Sequence, residues 1–453
     1  MVKEGYKYIN FINFSSLKEW DFKRYNIYST SSEYPIEKLG KHIVHQTKKH
    51  NLFDYPSKTF GILGISNEIG MFDAYEEKGE KIRQAYKIVE NGFISYNPYR
   101  INVGSIGIKT DAEKNRFISP AYVVISCKET LLPEFLFIMM KSDYFNKLIK
   151  SRTTGSVRQT LSYKNLSEIE IPIPDIETQK KILQNFNNVI DKSKLLENKV
   201  KELEDSLDSA LFEELGIKEI EESNKTTSKL QFTNFKRLIK WGVEFNLAPA
   251  GPDEIFLSNL FENVRLSSVA HINPRTNYET ISDESLISFL PMECISDIYG
   301  EIIHRYEGSV SASKGYTRFM EDDVLWAKIT PCMQNGKCAV AKNLKNGFGY
   351  GSTEYHVIRT DSKKLLNKYI YCLLRTRSIR KMAQYYFTGS AGQQRVSADF
   401  LENLVIPLPS IKKQEEICDR IFSKKREIKR LRLNIESLRE EAKRVFELEV
   451  FGE

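Results

Sequence analysis

Apolar residues recur along two stretches of the chain at steps that alternate between four and three. The first row is Ile182, Phe186, Val189, Ser193, Leu196, Val200, Leu203, Leu207 and Ala210. The second is Ile417, Ile421, Lys424, Ile428, Leu431, Ile435, Leu438, Ala442 and Val445. Such spacing is the a/d seam of a coiled coil, and only Ser193 and Lys424 interrupt the two rows. A seam this long predicts a partner helix. Asp175 and Ser410 stand where an N-cap is wanted, each just past a Pro-x-Pro, and Gly216 and Gly452 stand where a helix would stop. The first helix is predicted from about Ile176 to Glu214, a length of roughly 58 Å.

Elsewhere short β-branched and aromatic runs are punctuated by Gly, Asn and Pro, which predicts strands: GILGI from Gly61, GFISYN from Gly92, AYVVIS from Ala121, LISFLP from Leu286, DVLWAKI from Asp323 and EYHVIR from Glu354. One amphipathic helix is predicted in each half, near Pro133 to Ile149 and near Asn367 to Met382. The order of these features is itself repeated. FSSLKEW ending at Trp20 returns as FKRLIKW ending at Trp241, SPAYVVI from Ser119 as STEYHVI from Ser352, and TGS ending at Ser156 as TGS ending at Ser390. EIEIPIPDIETQKKI from Glu168 returns as NLVIPLPSIKKQEEI from Asn403. The offset between partners drifts in the first half of each copy and is constant through the helical end, so one half varies while the other is held.

The fold expected is α/β, in mixed α+β globular domains, with two long antiparallel coiled-coil helices, an internal tandem duplication and a pseudo-twofold axis that places the two domains at opposite ends of one rod. The boundaries expected are a first globular domain over 1–174, a helix over 175–215, a polar linker over 216–229, a second globular domain over 230–409 and a second helix over 410–453.

At 453 residues the chain suits two units rather than one core. A formal charge of +7 permits a nucleic-acid partner without requiring one. The six cysteines include no CxxC pair, the N-terminal MVKEGYKYIN has no apolar signal region, and no apolar run approaches a membrane span. A cytoplasmic chain with free thiols, and no membrane partner, is expected.

Catalytic patterns are weak. Asn97-Pro98-Tyr99 lacks the second proline of the amino-methyltransferase element, and no glycine-rich S-adenosylmethionine motif follows a strand. Asn335-Gly336-Lys337-Cys338 lacks the upstream Gly and the Ser/Thr of a phosphate loop. Pro174-Asp175 with Glu197 and Lys199 has nuclease spacing, but Glu197 and Lys199 fall on the heptad helix. His42 and His45 lack the further ligands a metal needs. No catalytic or metal-binding residue is expected.

Polar and basic loops do occur at corresponding places in both copies. Asn97, Arg100 and Asn102 fall in the first, and Lys328, Gln334, Asn335 and Lys337 in the second. A later pair of glycine turns carries Arg158 and Gln159, then Gln394 and Arg395. Arg, Asn and Gln can make bidentate contacts to guanine and adenine edges, while Lys chiefly meets phosphate. An ordinary glycine turn accounts equally well for the second pair.

The repeated TGS, (I/L)PxP, Q and I pattern leading into a heptad helix, with a globular domain before each, resembles the specificity subunits of Type I restriction-modification systems. The resemblance covers essentially the whole chain. It implies two target-recognition domains, each reading one half of a bipartite, asymmetric site in double-stranded DNA. It also implies a coiled coil that sets the spacing and docks two methyltransferase subunits, with restriction subunits able to join. No cofactor is then bound by this chain; S-adenosylmethionine, and ATP with magnesium for restriction, belong to the partners. Pro172, Pro174, Gln179, Pro407, Pro409 and Gln414 fall in the conserved regions by this resemblance. The competing readings are a coiled-coil scaffold, a nucleic-acid binder without sequence preference, and a self-contained restriction or modification enzyme.

Overall fold

A computed structural model describes residues 32–67, 69–101, 104–152, 160–218, 251–389 and 393–452. The segments ending at Trp20 and Trp241, the TGS turn through Gln159, Asn102, most of the 216–229 linker and Ser390 to Gly392 lie outside the described residues. The chain divides into two compact units, Met1–Leu195 with Asn434–Glu453, and Leu196–Leu433. The division falls inside both long helices.

In the first unit, Ile43–His45, Val123–Cys127, Ile94–Tyr96 and Ile106–Ile108 form an antiparallel sheet in that order. A short ladder pairs Ile36–Lys38 with Glu170–Pro172. In the second unit the same frame is built from Ala270–Ile272, Tyr355–Thr360, Val324–Ala327 and Cys338–Val340, with a ladder of Asn263–Arg265 on Val405–Pro407. Tyr96 opposite Val123 matches Trp326 opposite His356, and both aromatic rings are fully buried. The run Val324-Leu325-Trp326-Ala327 is continuously apolar because both faces of that strand are covered.

Between the shared strands each unit inserts a sheet of its own. The first inserts five strands in the order Lys49–His50, Tyr86–Ile88, Phe117–Ile118, Thr59–Ser66 and Gly70–Lys78. The second inserts four, in the order Tyr306–Ser309, Leu286–Leu290, Phe348–Gly351 and Thr317–Met320. The drift of offset seen in the sequence is this difference in insertion.

The single amphipathic helix expected in each copy is two helices. Pro133–Lys141 and Asp143–Arg152 are separated at Ser142, and Asn367–Leu374 and Arg377–Tyr385 at the Arg375-Thr376 step. The cause is the same in both. The Ser142 hydroxyl donates to the Met139 carbonyl at 2.7 Å and accepts from the Phe145 amide at 3.1 Å, while Thr376 does the same with Leu373 at 2.8 Å and Ile379 at 3.4 Å. A buried hydroxyl thus ends one helix and caps the next, and the apolar period carries across the break.

The long helices span Ile176–Leu215 and Ile411–Phe451. The Asp175 carboxylate accepts from the Thr178 amide at 3.0 Å and from its hydroxyl at 2.7 Å, and the Ser410 hydroxyl accepts from Lys413 at 3.4 Å. Gly216 and Gly452 have φ of +61° and +74°, the left-handed stop that a side chain would resist.

Every expected seam residue is buried or half-buried. In the first unit Phe186 meets Phe446 with ring centroids 6.0 Å apart, and Asn185 reaches Glu449 at 3.2 Å. In the second, Glu204 pairs with Arg432 at 2.6 Å, Ser206 is approached by Lys424 at 3.5 Å, and Glu214 pairs with Lys413 at 2.9 Å. Within each unit the two helical segments therefore run antiparallel. Their last turns carry a wider apolar stripe, because there the end of the first helix, Leu211, Phe212 and Leu215, closes the core of the second unit, and the end of the second helix, Phe446, Val450 and Phe451, closes the core of the first.

Candidate nucleic-acid interface

The first-unit loop begins where the strand Ile94–Tyr96 ends. The Asn97 side-chain oxygen accepts from the Tyr99 amide at 3.0 Å, its carbonyl accepts from Arg100 at 3.1 Å, and its amide donates to Ser105 at 3.0 Å. Asn97 is therefore a turn former whose acceptor is already used locally. Tyr99 and Arg100 are exposed on the turn it makes.

The corresponding second-unit strand, Val324–Ala327, runs into Lys328 to Lys337. Here the structure brings together the two groups that the sequence placed sixty residues apart. Thr330 donates to Gln394 at 3.0 Å and Val396 to Lys328 at 2.9 Å, so the first loop and the later glycine turn lie side by side. The same bond recurs in the first unit, where Leu161 donates to Pro98 at 3.0 Å. Arg158 and Gln159, just before Leu161, lie outside the described residues.

The members of the second-unit cluster are not equivalent. Phe387–Thr388 and Arg395–Val396 form a small hairpin. Arg395 makes a two-pronged ion pair with Glu354, at 2.8 and 2.7 Å, and donates to the Gln393 carbonyl at 2.9 Å. The guanidinium holds the Glu354 carboxyl below the usual carboxylate range. His356 lies beneath, its Nε2 set against the Val396 carbonyl at 2.9 Å, and burial pushes its imidazole below the ordinary value. The Lys337 ammonium donates to the Met292 carbonyl at 2.9 Å. Gln334 faces Gln384 at 3.4 Å, and both Gln334 and Asn335 are exposed, while Lys328 and Gln394 are half-buried. Arg395 and Lys337 are thus committed to the framework; Lys328, Gln334 and Asn335 are the groups this loop presents outward.

Lys328 also lines a cavity of about 370 Å³ that includes Arg275 and Arg318. Local spacing gave no signal for these two, since they belong to different strand ends. A larger cavity of about 620 Å³ lies against the helical part of the same unit. Its cations are mostly paired or capped: Arg432 with Glu204 at 2.6 Å, Lys429 with Glu301 at 2.7 Å, and Arg375 with the Gly336, Asp297 and Ile298 carbonyls. Among the described residues no group of His, Cys, Asp and Glu is arranged to hold a metal; His42 is set against Thr130 at 2.8 Å, and His45 stacks on Tyr163. Among the same residues no helix is long and apolar enough to cross a membrane.

Comparison with known proteins adds to this geometry. The family described as "Type I restriction modification DNA specificity domain" matches residues 59–205 and again 259–437, once in each copy of the frame. The Escherichia coli "Type I restriction enzyme EcoEI specificity subunit" is 41% identical over 165 residues, which are 36% of this chain and 27% of that protein. The E. coli "Type I restriction enzyme EcoAI specificity subunit" is 40% identical over 162 residues, 35% of this chain and 27% of the relative. The match thus spans about a quarter of the length of these relatives. A solved structure from work on "complex assembly and conformational transition of the type I R-M system" has a similar fold, with a TM-score of 0.58, 16% identity, and coverage of 93% of this chain and 99% of that one.

Proposed function

This chain belongs to the Type I restriction modification DNA specificity family, and from that premise we propose that it is the DNA specificity subunit of a Type I restriction-modification complex. It reads DNA and performs no chemistry. Each unit reads one half of a bipartite target, and the long helices act as an antiparallel coiled coil that fixes the separation of the half-sites. Two methyltransferase subunits dock on the chain and carry S-adenosylmethionine; restriction subunits, with ATP and magnesium, complete the assembly in the cytoplasm.

The observation that carries this reading is the pairing of a repeated frame with unrelated insertions. The sheets containing Val123–Cys127 and Tyr355–Thr360 have one strand order, whereas the sheets inserted beside them differ in strand number and order. A duplicated scaffold with two different readers suits an asymmetric target, because identical readers in a two-fold arrangement would select a palindrome. The framework role of Arg395, Lys337 and His356 fits a protein that holds loops in place and leaves methyl transfer to a partner.

A direct test combines the chain with the methyltransferase subunit from the same locus, labelled S-adenosylmethionine and duplex DNA of random sequence. Transfer to a two-part motif that needs both proteins is expected. Methylation by this chain alone, or methylation by the pair without sequence preference, would refute the assignment.

A further inference from the structure

One segment of the second unit combines a fixed backbone with outward-facing cation and amide groups. The strand Ala270–Ile272 ends at Asn273, which has φ of +51°. Asn273 is held three ways: its amide donates to Val357 at 2.7 Å, its side-chain oxygen accepts from Val357 at 3.0 Å, and its Nδ2 lies 3.0 Å from His356 Nδ1. Three residues on, the Thr276 hydroxyl accepts from Arg359 at 2.8 Å, and Arg359 is itself locked by the buried Asp323 at 2.8 and 2.7 Å. Tyr278 is buried and donates to the Gly349 carbonyl. Between these anchors Arg275 and Asn277 are exposed. Among the described residues Asn277 makes only a surface bond at 3.2 Å, to Glu279.

The cavity beside this segment is lined by cations. Arg275, Arg318 and Lys328 line it, and among the described residues no carboxylate does. Arg318 is aligned over the Tyr278 ring at 4.8 Å, which holds its guanidinium without neutralising it. The nearby Glu354 acts on Lys328 but is already engaged by Arg395, so three cations with no acid in the described wall raise the local potential and call for an anionic occupant, in contrast to the larger cavity, where Glu204 and Glu301 already answer the charge.

The first unit repeats the placement with different residues. Gln46, at the exit of the matching strand Ile43–His45, donates to Val124 at 2.8 Å just as Asn273 donates to Val357. Lys48 and Lys49 follow it and are exposed. The same backbone anchor thus delivers a different side-chain set in each unit, as two different half-sites require.

Resting on the assignment of the chain as a DNA specificity subunit, we propose that the Asn273–Asn277 segment is a reading element of the second unit: Arg275 and Asn277 contact base edges in the major groove of one half-site, and Arg318 and Lys328 hold the flanking phosphates. The planar fork of Arg275 suits the two acceptors of guanine, and the amide of Asn277 suits the acceptor and donor of adenine. Braced anchors on either side matter because each base contact then costs little ordering of the chain.

The test uses the assembled complex of this chain with its methyltransferase subunits and reads methylated motifs at base resolution for wild type, Arg275→Ala, Asn277→Ala and Arg275→Lys. Each alanine variant is expected to relax selection at one base pair of a single half-site by about tenfold or more, leaving the other half-site and the spacer unchanged. Arg275→Lys keeps the charge and loses the fork, so it should relax the same position. If Arg275→Lys and both alanine variants keep the full wild-type motif, the segment is not a reader, although the bipartite motif still stands. Uniform loss of methylation in Arg275→Ala with an unaltered motif in Arg275→Lys would make Arg275 a phosphate contact and overturn its reading role. A wild-type complex without any bipartite motif would instead remove the underlying functional assignment.

Discussion

Gln179 and Gln414 occupy identical hydrogen-bonding sockets in the two units. Both are completely buried. The Gln179 Oε1 accepts from Leu132 at 2.9 Å while its Nε2 donates to the carbonyls of Thr130 at 3.0 Å and Pro174 at 2.8 Å. Gln414 accepts from Leu366 at 2.9 Å and donates to Lys364 at 2.8 Å and Pro409 at 2.9 Å. One amide thus ties the start of a long helix to the Pro-x-Pro turn before it and to the loop that launches the helix beginning at Pro133 or Asn367. Side-chain length is decisive, because Asn cannot span the same three groups.

Removing either amide leaves a buried N–H and two carbonyls without partners. Gln414→Ala is expected to destabilise the second unit by about 3 kcal/mol, and Gln179→Ala the first by a similar amount. Urea unfolding followed by fluorescence and circular dichroism would measure both. A loss below about 1 kcal/mol would mean that water replaces the amide and the socket is not structural.

Thr376 provides a smaller, local test. Thr376→Ala deletes the hydroxyl that ends one helix and caps the next, and should cost about 1 kcal/mol, whereas Thr376→Ser should be close to neutral. Equal effects from the two substitutions would place the cost in the lost methyl group and not in the cap.

Much of the frame was legible in the sequence, and the reasons differ by element. The heptad rows of the long helices needed no tertiary information, since Ile182 to Ala210 and Ile417 to Val445 carry the period themselves. The strands at Val123 and Tyr355 were legible because they are short, branched and repeated. The breaks at Ser142 and Thr376 were hidden because the apolar period continues through them, although a Ser or Thr followed three residues later by an apolar amide was an available signal. Arg275 and Asn277 left no trace. Their placement depends on bonds from Asn273 to Val357 and from Thr276 to Arg359, some eighty residues away, and no local pattern encodes such a brace.

Lys425 offers a test by pH. Its ammonium lies 3.1 Å from the Tyr371 hydroxyl and 4.4 Å from that ring's centroid, and burial pulls its pKa down from 10.5 to about 8. Between those values the unfolded chain holds the proton that the folded chain has released, so stability contributed through this group rises with pH across that window. Lys425→Met removes the dependence. The variant should be more stable than wild type near pH 7, and its advantage should shrink as pH rises from 8 towards 10. Unfolding midpoints at pH 7, 8.5 and 9.5 decide the matter, and a difference that stays constant would show that the ammonium is solvated.

The spacing role proposed for the long helices makes a prediction about DNA. Seven residues inserted into one of them preserve the heptad phase but lengthen only one member of the pair. The expected outcome is a changed spacer or lost binding, with both half-sites unaltered. A variant that keeps the parental spacer and affinity would exclude the helices as the ruler.

The most direct measurement is base-resolution detection of methylation across the genome of a host carrying this chain and its neighbouring methyltransferase, beside a strain in which only this chain is deleted. A two-part, asymmetric motif with a fixed gap is expected to be methylated in the first strain and unmethylated in the second. A methylation pattern unchanged by the deletion, in a strain where the methyltransferase is expressed and active, would contradict it.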